Sequence, residues 1–411
     1  MDSITITATK DHLDDKVALP LSKSISNRSL MLNAISGGLV KYDLLSDADD
    51  TKLLQHLLGR IQAGNDSILN AGNAGTVYRF LTAYLSIKAG EWTLDGDQRM
   101  RQRPIGPLVD SLRRLGADIT YQGRNGFPPL LIRGRQLAGG RTEIDAGMSS
   151  QFASALMMIG PVLPSGLELK IKGDVSSQAY ISMTTRLMKA AGAETDVELP
   201  AVKIKGSGYS NSLLRQESDW SSAAFWYALL ALSKGGELLL QGLKSVSLQG
   251  DRITAEYFRM LGVETSYTEQ GALIRKRGTR NEHIDLNLED SPDLAPAIIV
   301  ATAALGLSGN FYGLSNLKNK ESDRLAALSA ELAKAGIRTH TTSGKIEFKA
   351  QKLRLTKAVD PHMDHRIAMA FAPLAILGKP LTIKKPGVVS KSYPQFWEEL
   401  KKVIRGTISD Q

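Results

Sequence analysis

The chain has 411 residues, 42% hydrophobic and 23% charged, an ordinary globular composition with enough length for two or three domains. It has no cysteine, which excludes disulfides, thiolate metal sites, iron–sulfur clusters and cysteine nucleophiles. Lys and Arg outnumber Asp and Glu by 51 to 42, a formal charge of +9, which suits nucleic acid, an acidic membrane surface or small anionic substrates. The basic residues are spread singly through turns rather than gathered in a block, which favours small anions.

No apolar run approaches the roughly 18 residues of a membrane-spanning helix. The stretch MDSITITATKDHLDD at the start lacks the basic beginning and apolar core of a signal peptide. A soluble cytoplasmic protein is therefore expected.

In chain order, one pattern recurs six times: a small or polar loop, an apolar run of helix length, a Gly, then a short apolar strand. The copies begin near Ser22, Asn73, Ser149, Ser221, Asp293 and Asp364, with separations of 51, 76, 72, 72 and 71 residues. This period is longer than that of common solenoid repeats and reads as a supersecondary unit repeated within a globular body. Second helices are predicted from Pro104, Tyr180, Arg252 and Ser322, each with apolar residues at helical spacing and a closing Gly. LELKIKG and ALIRKRG alternate as strands do. The first helices are apolar almost all round and should be buried, whereas the second are amphipathic and should be half exposed. Six units divide most simply into two domains of three, with the division near residues 216–219.

The starts of the first helices carry the chemistry. Helix N-termini present free N–H groups and partial positive charge, a seat for phosphate or carboxylate. The first offers Lys23, Ser24, Asn27 and Arg28; a plain serine cap with solvated basic neighbours is the alternative. The second offers NAGNAGT, Asn70 to Thr76, then Arg79. No GK[ST] follows, so this is not a Walker A loop. Beyond it lie Arg99, Arg101 and Arg103 at alternate positions, which read either as a solvated edge strand or as an anion-facing run. The third start offers Ser149, Ser150 and Gln151. The later ones add acids: Asp293; Lys320, Glu321, Asp323 and Arg324; Asp364, His365 and Arg366; and Lys391 further on. Carboxylates suit proton transfer and Arg or Lys suit anion holding, while surface salt bridges remain the alternative. There is no HExxH and no spacing that suggests a metal.

Taken in order, SKSISNR, NAGNAGT with Arg79, RQRPIG, SSQ, Pro292–Asp293, NKESDR, DHR and KSYP resemble the 5-enolpyruvylshikimate-3-phosphate synthase family (3-phosphoshikimate 1-carboxyvinyltransferases) over nearly the whole chain. The resemblance implies an α/β fold of two domains, each of three βαβαββ units around buried parallel helices. Residues 21–217 would form one domain and residues 1–20 with 218–411 the other, with the active site in the cleft between them. It implies transfer of the enolpyruvyl group of phosphoenolpyruvate to the 5-hydroxyl of shikimate 3-phosphate through a tetrahedral intermediate, in the shikimate pathway of aromatic amino-acid biosynthesis.

By the same resemblance, shikimate 3-phosphate would be held by Lys23, Ser24, Arg28, Ser149, Ser150, Gln151, Ser177, Asp293, Asn316 and Lys320. Phosphoenolpyruvate would be held by Lys23, Gly75, Arg103, Gln151, Arg324, Arg366 and Lys391. Asp293 would accept the proton of the attacking hydroxyl, Glu321 would donate one, and Lys23 would share in proton transfer. No cofactor or metal is implied; the partners are the two small-molecule substrates, with no nucleic acid or membrane, and the expected state is a monomer. In this family glyphosate competes with phosphoenolpyruvate, so Gly75→Ala is expected to weaken the longer inhibitor more than the substrate. Two positions depart from the family pattern: Leu21 follows Pro20 where Gly is usual, and Phe80 follows Arg79 where Pro is usual. Phe80 bears on pocket shape and inhibitor response.

The sister family that transfers enolpyruvyl to a UDP-amino sugar commonly uses a loop cysteine, which this chain lacks. An RNA-end-processing enzyme built on related units would suit the positive charge, but aromatics are 6% of the chain and avoid the basic motifs, unlike single-strand binders. A catalytically inactive anion-binding protein would not need Asp293 and Glu321.

Overall fold

The computed structural model describes residues 2–64, 67–145, 147, 149–173, 178–278 and 280–410. The chain forms two compact units. One is Lys23–Gln216, here the central unit; the other joins Met1–Ser22 to Glu217–Gln411 and is here the outer unit.

The central unit contains helices α1 (Lys23–Ile35), α2 (Asp49–Ala63), α3 (Gly75–Ile87), α4 (Gly106–Arg114), α5 (Ser150–Ile159) and α6 (Gln178–Ala190). Strands Ile68–Asn70 and Gly90–Asp95 run parallel, with α3 as their crossover, and Leu130–Gly134 and Asp118–Tyr121 extend the sheet antiparallel. The next repeat does the same: Gly140–Asp145 and Leu167–Lys172 are parallel around α5, and Ala201–Ile204 and Thr195–Glu198 complete the sheet. Parallel neighbours need a crossover, and a helix supplies it. The third repeat is split by the chain's path: Val40–Tyr42 follows α1, and its parallel partner Ser212–Leu214 closes the unit.

The outer unit contains α7 (Trp220–Leu232), α8 (Thr254–Arg259), α9 (Ala295–Ala304), α10 (Arg324–Lys334), α11 (His365–Phe371) and α12 (Phe396–Ile404). Strand His12–Val17 pairs parallel with Gly235–Gln241, although the whole central unit intervenes between it and α7. His283–Asn287 and Ser308–Tyr312 are parallel around α9. In the last repeat Ser3–Thr7 lies between Leu381–Lys384 and Thr407–Asp410, antiparallel to both. The strand leaving the outer unit and the strand re-entering it lie side by side: Ser22 N–H donates to Glu217 O at 2.8 Å and Asp219 N–H to Pro20 O at 2.9 Å.

The expected contrast between the two helix classes holds. Every residue of α7 and of α11 is buried, and α7, α9 and α11 pack on one another, as α1, α3 and α5 do in the central unit. The second helices bury one face; in α10 this includes Leu325, Leu328 and Leu332, spaced by three and four residues. Gly336, at φ 81°, ends α10 as a left-handed terminator, and Ile337 N–H donates to Leu332 O at 2.9 Å. The helix expected from Arg252 is broken: a 3₁₀ turn, Gly250–Ile253, precedes the short α8. The Arg99–Arg103 run is no edge strand. It holds the 3₁₀ turn Met100–Gln102, which points Arg101 outward to Asp95 and buries Arg103.

α1 is the exception among the first helices. It buries Ser26, Asn27, Arg28 and Ser29 beside Ile25, Leu30, Met31 and Leu32. Most of these polar groups have partners: Ser26 donates to Gln216 Oε1 at 2.8 Å, Gln216 Nε2 donates to Ser29 Oγ at 3.0 Å, and Thr51 donates to Asn27 Oδ1 at 2.8 Å, whereas Asn27 Nδ2 is buried with no hydrogen-bond partner among the described residues. Buried polar groups are satisfied in this way in the large majority of cases.

Candidate active site

In the central unit the starts of α1, α3 and α5 collect four cations. Lys23 opens α1 and its Nζ lies 3.0 Å from Asp50 Oδ2. Arg28, one turn on, is buried. Its Nε donates to Thr184 Oγ1 at 2.7 Å, Nη1 to Ser24 O at 3.0 Å and Nη2 to Ser154 Oγ at 3.3 Å. Its guanidinium stands 5.4 Å from the Phe80 ring centre and 5.7 Å from that of Tyr180. These partners are hydroxyls, a carbonyl and aromatic faces, and among the described residues no carboxylate contacts it. Burial pulls its pKa down to about 10. A buried cation with neutral neighbours favours an incoming anion strongly. The ring of Phe80, the residue that departs from the family pattern, thus faces Arg28.

At the start of α3, two guanidiniums converge on Gly75. A Cβ there would lie 2.6 Å from Arg103 Nη2 and 2.8 Å from Arg79 Nη1, so only a residue without a side chain lets both approach the helix terminus. Arg103 Nη1 donates to Asn73 O at 3.3 Å. Arg79 Nη1 donates to Gln151 Oε1 at 2.6 Å, and Gln151 Nε2 donates to Thr76 Oγ1 at 2.8 Å. Gln151 therefore joins the starts of α3 and α5. Ser149 is the N-cap of α5, its side chain accepting from Gln151 N–H at 3.3 Å, and Ser150 is buried beside it. Ser177 lies outside the described residues.

In the outer unit a second cluster surrounds Asp293, which sits in the 3₁₀ turn Pro292–Leu294 leading into α9. Its Oδ1 lies 2.8 Å from Arg324 Nη1 and 3.3 Å from Lys320 Nζ, and its Oδ2 lies 3.1 Å from Arg366 Nη2. Burial alone would raise its pKa. Arg366, Lys320 and Arg324 overcome that against the opposing charge of Glu321 and hold it well below the usual carboxylate range. Arg324 is shared further: Nη2 binds Glu321 Oε2 at 2.8 Å and Nε binds Asp364 Oδ2 at 2.8 Å. Asp364 caps α11 by accepting from Arg366 N–H at 3.0 Å and also accepts from Ser322 Oγ at 3.1 Å. Lys320 is lowered, chiefly by burial, with Asp293 working the other way. Asn316 is buried in the turn Ser315–Asn319, and Lys391 ends the turn Pro386–Lys391.

The described contacts therefore link Asp293, Lys320, Glu321, Arg324 and Arg366 into one network, and join Gly75 and Arg103 to Gln151 through Arg79. Four further contributors are not among the substrate-binding or catalytic residues that the resemblance implies, although Arg79 and Asp364 stand among the helix-start candidates. Arg79, Asp50 and Asp364 lie next to assigned residues in sequence or space and bind them. Asp251 is buried at the start of its turn, accepts a hydrogen bond from Ser221, and has its pKa pushed up to about 6, by burial first and by Asp293 second, against Ser221 and Arg366. The helix-start pattern singles out Arg79 and Asp364; nothing local marks Asp50 or Asp251. Among the described residues no three His, Asp or Glu side chains form a group that could hold a metal ion, and no helix is long and apolar enough to cross a membrane.

Residues 55–400 match the EPSP synthase (3-phosphoshikimate 1-carboxyvinyltransferase) family. The chain is 43% identical over 390 residues to a 3-phosphoshikimate 1-carboxyvinyltransferase of Bacteroides fragilis, covering 94% of each chain. It is 37% identical over 423 residues to one from Pseudoalteromonas translucida, covering 95% of this chain and 97% of that one. Its fold resembles the solved EPSP synthase of Acinetobacter baumannii, with a TM-score of 0.78 at 24% identity over the full length of both.

Proposed function

This chain belongs to the EPSP synthase (3-phosphoshikimate 1-carboxyvinyltransferase) family, and on that premise we propose that it transfers the enolpyruvyl group of phosphoenolpyruvate to the 5-hydroxyl of shikimate 3-phosphate, releasing phosphate. The observation that carries the reading is the ionised Asp293, bonded to three cations at the mouth of a helix, in a chain 43% identical to a named enzyme of this activity.

In this reading Arg28 receives the phosphate of shikimate 3-phosphate, with Ser24, Ser149, Ser150, Ser177, Asn316 and Lys320 as further contacts. Arg103, Gly75, Gln151, Arg324, Arg366 and Lys391 receive phosphoenolpyruvate, and Lys23 serves both. Asp293 takes the hydroxyl proton as the oxygen attacks C2, and Glu321 supplies a proton to C3. Loss of phosphate from the tetrahedral intermediate and removal of a C3 proton complete the exchange. The cations stabilise phosphate and carboxylate charge throughout.

A carboxylate held far below its usual pKa is a weak base. The same three cations, however, are those proposed to bind or border the substrates. When an anion shares Arg324 and Arg366, their hold on Asp293 weakens and its basicity rises. Substrate binding would thereby prepare the base.

The test is phosphate release from phosphoenolpyruvate by the purified chain with shikimate 3-phosphate present, compared with a UDP-amino sugar or RNA as acceptor. Release only with shikimate 3-phosphate supports the reading; release only with another acceptor, or none with any, refutes it.

A further inference from the structure

The segment that delivers Asp364 and Arg366 has an unusual backbone. Asp364 N–H donates to Pro361 O at 2.9 Å, closing a turn whose central residues, His362 and Met363, have φ of 53° and 60°. Two successive left-handed residues mark a turn of the I′ kind, which favours Asn-Gly and disfavours larger side chains. Neither residue here is Gly, so the conformation must be held from outside the turn.

Helix α10 supplies the hold. Glu331 is buried. His362 Nε2 donates to its Oε1 at 2.7 Å, and Asp360 N–H donates to its Oε2 at 3.1 Å. Lys334 Nζ bonds both oxygens, at 2.7 and 2.9 Å. One buried carboxylate thus grips the turn at the residue before Pro361 and at the residue after it. The same helix touches the segment a second time, about two helical turns earlier, where Arg324 Nε binds Asp364 Oδ2 at 2.8 Å.

We propose that Glu331 and His362 are positioning residues: by fixing a turn that its own sequence disfavours, they set Asp364 as the cap of α11 and so aim Arg366 and Arg324 at phosphoenolpyruvate. The last clause rests on the assignment of those arginines made above. His362→Ala removes the ring and leaves a side-chain-bearing residue in a left-handed backbone. His362→Gly also removes the ring but adopts that backbone without steric cost.

In the full-length protein, His362→Ala is expected to raise the KM for phosphoenolpyruvate about tenfold, with kcat and the KM for shikimate 3-phosphate changing less than about twofold, the pattern of lost uniform binding. His362→Gly is expected to recover most of that loss. Hydrogen–deuterium exchange of the ligand-free protein should quicken across residues 360–368 in His362→Ala and less so in His362→Gly. Should His362→Ala fail to fold, Glu331→Gln, which keeps volume and an acceptor for Asp360 N–H, takes the same measurements. Unchanged KM and exchange in His362→Ala, or equal impairment of the Ala and Gly variants, overturns the proposal. A wild-type protein inactive on both substrates would instead overturn the assigned reaction, while the exchange comparison still decides the role of the turn.

Discussion

Arg324 Nη1 lies 2.8 Å from Asp293 Oδ1, and the same guanidinium binds Glu321 and Asp364. One planar cation therefore ties the proposed base to the proposed acid and to the cap of α11. Arg suits this role because its donors diverge in a fixed fork; a Lys ammonium cannot span three carboxylates in that geometry. Arg324→Lys should fold but lose most turnover. Arg324→Met should also lose stability, by about 3–5 kcal/mol, because it leaves carboxylates buried without their partner. Steady-state kinetics and urea melts of the two variants check this.

Asp293→Asn and Glu321→Gln should each lower kcat by about 10²–10⁴-fold, the usual contribution of a positioned acid or base, while ligand binding persists. Isothermal titration alongside the kinetics separates the two effects. Near-wild-type turnover in both variants would remove them from the mechanism.

Gly75→Ala places a methyl where Arg103 Nη2 and Arg79 Nη1 now stand, 2.6 and 2.8 Å from the new atom. Both obstacles are the ends of flexible side chains, so the fold should survive with little change in Tm while the guanidiniums shift. The KM for phosphoenolpyruvate should rise several-fold, since overpacking costs about 1–3 kcal/mol. Glyphosate, being longer, should lose more. Equal proportional losses would mean that displacement of the arginines accounts for the whole effect.

Phe80→Leu keeps an apolar side chain in α3 but removes the aromatic face 5.4 Å from Arg28. A desolvated cation–π contact is worth about 2 kcal/mol, so the KM for shikimate 3-phosphate should rise by up to about thirtyfold, with that for phosphoenolpyruvate little changed. An equal rise in both would show that Phe80 acts through general packing of α3.

Asp251 and Asp293 bear on pH in opposite directions. Asp293 has a depressed folded-state pKa, so its stabilising contribution is present above the unfolded value of about 3.9 and is lost as pH falls below it. Asp251, raised to about 6, binds its proton more tightly folded than unfolded. Stability is therefore lost as pH rises from about 4 to about 6, by roughly 2–3 kcal/mol. Asp251→Asn keeps an acceptor for Ser221 and should be more stable than the parent at pH 7, with the difference gone near pH 4. Denaturant melts at both values test the sign.

The six repeats, their buried and half-exposed helices, and the helix starts that carry Lys23, Arg28, Gly75, Gln151 and Arg366 were legible in the sequence, because helical periodicity, small-polar caps and closing glycines are local signals. The breadth of the motif series made the family legible too. The pairing partners were not. That Asp50 meets Lys23, that Phe80 faces Arg28, that Arg324 serves three carboxylates, and that Glu331 holds His362 across 31 residues all depend on which helix faces lie together. Side-chain pairing and the pKa values that follow from it are set by distance and burial, and these exist only once the chain is folded. The sequence by itself determined which elements form and which residue types stand at their ends; the tertiary structure decided which of those charges neutralise each other and which are left for a ligand.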